Sequence, residues 1–165
     1  MIIHRVKAEL ECHRHRATLA GVLRMPPVAE RDSAIIVLSQ VCARDFLMYI
    51  LAAKSFARHS EACRFAVLDD GSLTPEHHEL LRTHLPGVAI CDIDAARSEA
   101  TPKGGCWERL LKLVEIGQQS YVVQLDADTI TLGPLGEVAQ CIRSGTGFTL
   151  SSETDARIVP LRIAA

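Results

Sequence analysis

The chain has 165 residues, 48% of them hydrophobic, with 18 basic and 20 acidic residues and a formal net charge of −2. That length holds one domain with a real core, and that hydrophobic content excludes an intrinsically disordered chain. The near-neutral balance and the lack of a basic tail exclude the electrostatic footprint of a nucleic-acid binder, and no apolar run approaches the roughly 20 residues that span a bilayer. Residues 1–23 carry charges throughout and contain no signal-peptide core. The six cysteines, Cys12, Cys42, Cys63, Cys91, Cys106 and Cys141, are scattered singly with no C-x-x-C. They are expected to be reduced, buried thiols of a cytoplasmic protein.

In chain order, residues 1–32 read as an N-terminal helical extension, with Val6, Leu10, Leu19, Val22 and Leu23 on a broken stripe that Pro26-Pro27 ends. Cys12-His13-Arg14-His15 matches no closed zinc spacing, and its arginines would repel a cation, so a solvated face is expected there. A domain over 33–165 follows. Residues 34–38 form a first apolar strand that ends at Ser39-Gln40, and residues 44–59 an amphipathic helix. Residues 64–68 form a second strand that runs into Asp69-Asp70-Gly71-Ser72, a sharp turn. Thr74-Pro75 opens a helix to about residue 85, with His77 where a capping box would carry Glu or Gln. Residues 88–91 are a third strand, and residues 94–102 a polar loop. A helix over 104–117 is expected to turn Trp107, Leu110, Leu111, Val114 and Ile116 toward the core, with Arg109 and Lys112 on one face. His59, His77, His78 and His84 are expected on helix surfaces.

Tyr121 then begins Y-V-V-Q-L-D-A-D-T-I-T-L, an apolar, β-branched run that delivers Asp126 and Asp128 to a strand end. A short amphipathic turn over 135–142 and a fifth strand at Phe148-Thr149-Leu150 complete the pattern. Strand and helix alternate, which predicts an α/β parallel sheet with helices on both faces. In such a sheet the strand ends at Ser39-Gln40, Asp69-Asp70 and Asp126-Asp128 fall on one edge, where ligands bind. Asp126 and Asp128 suit a hard divalent cation, Mn²⁺ or Mg²⁺, that also grips phosphate oxygens. Asp69 or Asp70 can accept an N–H bond from a nucleobase, and Arg109 or Lys112 can add positive charge at the phosphates. No Walker A loop, G-x-G-x-x-G or G-x-S-x-G is present.

This order of elements, with D-D-G-S after the second strand and Y-V-V-Q-L-D-A-D-T-I-T-L-G-P-L at the fourth, resembles the donor half of GT-A-type glycosyltransferases. The likeness runs from about residue 33 to 151 and is greatest to the family 8-like enzymes with a D-x-D motif. It implies a three-layer α/β/α, mostly parallel Rossmann-like sheet, incomplete at the C-terminus because the family continues past the fifth strand. It also implies transfer of a sugar from a nucleotide-diphosphate sugar, a UDP-sugar first, to an acceptor that the sequence does not identify. By the same likeness Asp126 and Asp128 hold metal and diphosphate, with Ala127 between them in the nucleotide-sugar site; Asp69 or Asp70 lies by the base or ribose, Ser39 and Gln40 by the nucleoside, and Arg109, or else Lys112, by the donor sugar or phosphate. The carboxylates or base that complete catalysis are expected beyond Ala165.

Three other classes share part of the pattern. A sugar-nucleotide-binding module without turnover would keep the metal-dependent binding and lack transfer. A haloacid-dehalogenase-like phosphatase also places D-x-D after an apolar strand, but its motif opens the domain and continues differently from Thr129-Ile130. A nucleotidyltransferase would need a glycine-rich loop where Ser39-Gln40-Val41-Cys42-Ala43-Arg44 stands.

Overall fold

A computed structural model describes residues 19–30, 32–104 and 106–149. The chain divides after Leu135 into two compact units. The first is built on four strands, β1 (Ile35–Val41), β2 (Arg64–Asp69), β3 (Ala89–Asp92) and β4 (Tyr121–Gln124), ordered β3-β2-β1-β4. Every pairing is parallel, with Val41 opposite Asp69, Asp69 opposite Asp92, and Ile35 opposite Tyr121. This is the expected α/β, Rossmann-like parallel sheet.

The helices are α1 (Phe46–His59), α2 (Pro75–His84) and α3 (Trp107–Gly117). The crossovers through α1 and α2 both step from β1 toward β3, whereas the one through α3 returns to the far side of β1. Right-handed crossovers therefore place α1 and α2 on one face and α3 on the other. Consistent with this, α1 packs on α2, and α3 packs on β4, β1 and a short 3-10 helix, Ile93–Ala96. The core lies where β1 and β2 meet α1: Val37, Leu38, Val67, Leu68, Tyr49 and Ile50 are fully buried.

Strand β1 runs past its expected end, because Ser39, Gln40 and Val41 pair with Val67, Leu68 and Asp69. Two polar residues conceal the strand in the sequence, but the ladder fixes them. Helix α2 starts as expected at Thr74, whose Oγ1 accepts from His77 N at 3.3 Å. The capping box is closed by an imidazole, with His77 Nδ1 accepting from Thr74 N at 3.1 Å. The loop expected after β3 instead opens with the 3-10 helix, whose Ile93 and Ala96 pack on Leu68.

Residues 1–18, with Cys12-His13-Arg14-His15, lie outside the described residues. The described part of the expected N-terminal helix is one 3-10 turn, Ala20–Arg24. The chain then runs extended over 26–30, with Val28 N donating to His84 O. The buried Lys54 ammonium donates to Met25 O at 3.2 Å and Pro26 O at 2.5 Å. His84 is buried beneath this stretch rather than exposed, and burial pushes its pKa down, as it does that of Lys54.

Three further expectations are corrected. Trp107, Leu110 and Val114 of α3 are exposed, and Glu108 is the buried residue of that helix. The helix packs on β4 and β1, with β4 at the edge of the described sheet, and these three side chains stay on its solvent side. Of the expected fifth strand, Phe148 and Thr149 belong to no strand and Leu150 lies outside the described residues; a strand requires a ladder partner, which propensity does not supply. The described cysteines are free, as expected, but none is fully buried, and Cys106 is exposed.

In the second unit, the described structure is a fourth helix, α4 (Gly136–Ser144). Gly145, at φ +64°, ends it with paired bonds from Gly145 N to Ile142 O and Thr146 N to Cys141 O. No helix among the described residues is long and apolar enough to cross a membrane.

Candidate functional site

Strand order reverses between β1 and β4, so the crevice beyond their carboxyl ends is the topological switch point of this sheet. Asp126 stands there. Leu125 N donates to Leu38 O at 3.0 Å, and the buried Ser39 hydroxyl donates to Leu125 O at 2.6 Å. Both polar groups of Leu125 are thus stapled to β1. The next four residues form a turn closed by Thr129 N donating to Asp126 O at 3.2 Å. The D-A-D-T sequence is therefore a turn fixed at its entry, with Asp126 and Asp128 exposed and Ala127 half-buried between them.

Arg109 of α3 reaches this turn. Its Nη1 donates to Asp126 Oδ1 at 2.7 Å, and its Nη2 lies 3.2 Å from Cys106 Sγ. Gln124 Nε2 makes a longer contact, 3.4 Å, to the same Oδ1. Among the described residues, Asp126 Oδ2 and the Asp128 carboxylate accept no hydrogen bond. Lys112, the alternative cation, is spent elsewhere: it pairs with Glu115 on its own helix at 2.7 Å, and that carboxylate raises the lysine's pKa. Buried Glu108 accepts from Gly104 N at 2.8 Å and lies near Arg97, fixing the loop that enters α3. The Gly104 N–H, the glutamate's own N–H and Arg97 hold its carboxyl below the usual range against the opposing effect of burial.

The other expected residues divide. Ser39 was expected by the nucleoside; it is fully buried, and its hydroxyl holds Leu125 instead. Gln40 is half-buried in β1 opposite Leu68. Asp69 closes β2 and is buried: Oδ1 accepts from Gly71 N at 2.8 Å and Leu73 N at 3.3 Å, and Oδ2 meets His78 Nε2 at 2.7 Å. Gly71 takes φ +89°, as the sharp turn requires. Asp70 is exposed; its Oδ1 accepts from Ser72 N and Oγ, and Ser72 Oγ in turn accepts from Ala43 N. The loops after β1 and β2 are thereby joined, and Asp70 keeps one oxygen without a partner among the described residues, while both Asp69 oxygens are bonded. His78 was missed. The Thr74 cap puts it in the first turn of α2, at the same sheet edge as Asp69, and that was its signal.

No cluster of three or more His, Cys, Asp or Glu among the described residues could cage a metal. Mg²⁺ and similar hard ions do not need one, because they are commonly held by one or two carboxylates, waters and substrate phosphates. The exposed pair Asp126 and Asp128 fits that mode, with Asp126 Oδ2 open.

No protein-family model matches the chain, and no curated protein matches it. Among solved structures, it is similar to the apo structure of the bifunctional glycosyltransferase WbbM, at 20% identity and a TM-score of 0.47. The match covers 68% of this chain and 22% of that one, so the chain spans about a fifth of the other's length.

Proposed function

We propose that this chain binds a nucleotide-diphosphate sugar, with UDP as the nucleotide, together with Mn²⁺ or Mg²⁺, and serves glycosyl transfer to an acceptor. The observation that carries the reading is the D-A-D-T turn: two exposed carboxylates, stapled to β1 at the switch point, with a guanidinium on the first. Asp126 and Asp128 would hold the cation, which supplies charge neutralisation of the diphosphate leaving group. Arg109 exchanges its bond to Asp126 for a phosphate oxygen, so that the guanidinium serves as an anion clamp. Ser39 keeps the turn in place through Leu125. Asp70, with an open oxygen on the β2 side of the crevice, accepts from the ribose or base.

Calorimetric titration of UDP with and without Mn²⁺ tests this. Binding is expected only with the metal, and a loss of at least about tenfold, ~1.4 kcal/mol, in Asp126→Ala and Asp128→Ala. Equal binding by the wild type and both variants would overturn the reading.

A further inference from the structure

A cavity of about 280 Å³ opens at the opposite edge of the sheet from Asp126, between the extended stretch 26–30 and the last turns of α1. Its lining includes Cys63, which immediately precedes β2 and so fixes the cavity at the amino-terminal edge of the strands. We propose that it is an anion site that binds a small amphipathic carboxylic acid, with the carboxylate between Lys54 and Arg58. None of its residues lies at the crevice that holds Asp126, so it stands apart from the donor reading.

Lys54 is buried, and among the described residues it forms no ion pair. Its partners are two backbone carbonyls, Met25 O at 3.2 Å and Pro26 O at 2.5 Å. An ammonium has three donors, so one is left over. Carbonyl dipoles solvate the charge without cancelling it, and a buried charge with no counter-ion is costly. The charge is also felt nearby: after burial itself, Lys54 is the cause that lowers the pKa of the buried His84. An incoming anion would offset the cost of burying this ammonium.

Arg58 follows Lys54 by four residues, which puts both on one face of α1, and both line the cavity. The Arg58 guanidinium is exposed and has no hydrogen bond or ion pair among the described residues. Glu61 is the one carboxylate in the described lining, so two cations face a single acid there. The walls decide what kind of anion fits. Pro26 and Pro27 carry no N–H, and the Val28 N–H is already given to His84 O. That wall, with Ala57, suits a hydrocarbon body, while an ammonium and a guanidinium suit the two oxygens of one carboxylate. A phosphate dianion would press its further oxygens, unpaired, against the apolar wall. The volume falls just below the roughly 300 Å³ at which drug-sized pockets begin, so the ligand is small.

Calorimetric titration of the full chain with octanoate, 1-octanol and inorganic phosphate tests this. Octanoate is expected to bind saturably, and at least about tenfold more tightly than the uncharged alcohol of the same length. Arg58→Ala removes no described contact, so it leaves the fold intact and should weaken octanoate about tenfold. Lys54→Met keeps an apolar stem and removes the charge, and should abolish octanoate binding. Should that variant unfold because the Met25 and Pro26 carbonyls lose their donor, Arg58→Ala still decides. Absence of saturable octanoate binding, or equal binding by the wild type and Arg58→Ala, overturns the site. Octanol binding as tightly as octanoate overturns the role of the two cations, and displacement of octanoate by inorganic phosphate overturns the carboxylate class.

Discussion

The ends of β2 and β4 look alike in sequence, each an apolar run followed by two acids, yet the protein uses them differently. Asp69 is buried and both its oxygens are taken, by two backbone N–H groups and His78. Asp126 has a side chain 56% exposed and one oxygen without a partner. The first carboxylate holds a turn together; the second is held out by a turn that other groups secure. An acid at a strand end becomes available to a ligand when something else satisfies the local backbone. At β4 that task falls to Ser39 and to the Thr129–Asp126 bond, which leave the Asp126 side chain free.

The sharpest way to break this comparison is to truncate both. Asp69→Ala strands two N–H groups and an imidazole, and should cost about 3 kcal/mol of unfolding free energy in a urea titration. Asp126→Ala removes one ion pair between an exposed carboxylate and a half-buried guanidinium and should change stability by less than about 1 kcal/mol, while abolishing metal-dependent UDP binding. Similar stability losses in the two variants would erase the distinction. Ser39→Ala comes next. It leaves the Leu125 carbonyl without its donor, for about 1–2 kcal/mol, and should weaken UDP–Mn²⁺ binding severalfold although Asp126 is intact. An unaltered affinity in that variant would show that the turn does not depend on its staple.

The smallest effect sharpens the contrast by pH. Glu108 is the buried carboxylate on the β4 side, and its carboxyl is held below the ordinary value of 4.5, first by the Gly104 N–H. A depressed carboxyl pKa stabilises the fold above 4.5, and the contribution disappears as pH falls through the lowered value. The thermal midpoint should therefore drop more between pH 6 and pH 3.5 in the wild type than in Glu108→Gln. Equal drops would remove Glu108 from the account.

The parallel sheet was legible because β1 and β2, the buried strands, read as continuous apolar runs, and the short edge strands β3 and β4 are also mainly apolar although most of their residues are half-buried or exposed. Thr74-Pro75 marked the start of α2 for a local reason, since a cap is written within one turn of chain. What stayed hidden depended on partners distant in sequence. Ser39 looked like a strand terminus until Leu125 supplied its acceptor. Asp69 and Asp70 are adjacent and chemically identical, and only the fold of Gly71–His78 around one of them tells them apart. Trp107, Leu110 and Val114 have a correct helical period, but period gives the existence of an apolar face and not what lies opposite it. The expected fifth strand failed for the same reason, as pairing is a property of two segments.

The order of the sheet also has a consequence in time. Strands β1, β2 and β3 are sequence neighbours and can associate through short crossovers, whereas β4 must return to β1, and the Ser39–Leu125 bond closes a separation of 86 residues. Contacts that close long loops carry the larger entropic cost and tend to form late. The crevice that holds Asp126 is therefore among the last features to be completed as the chain folds, so a molecule arrested with only its first three strands assembled would have much of its hydrophobic core and none of its binding turn.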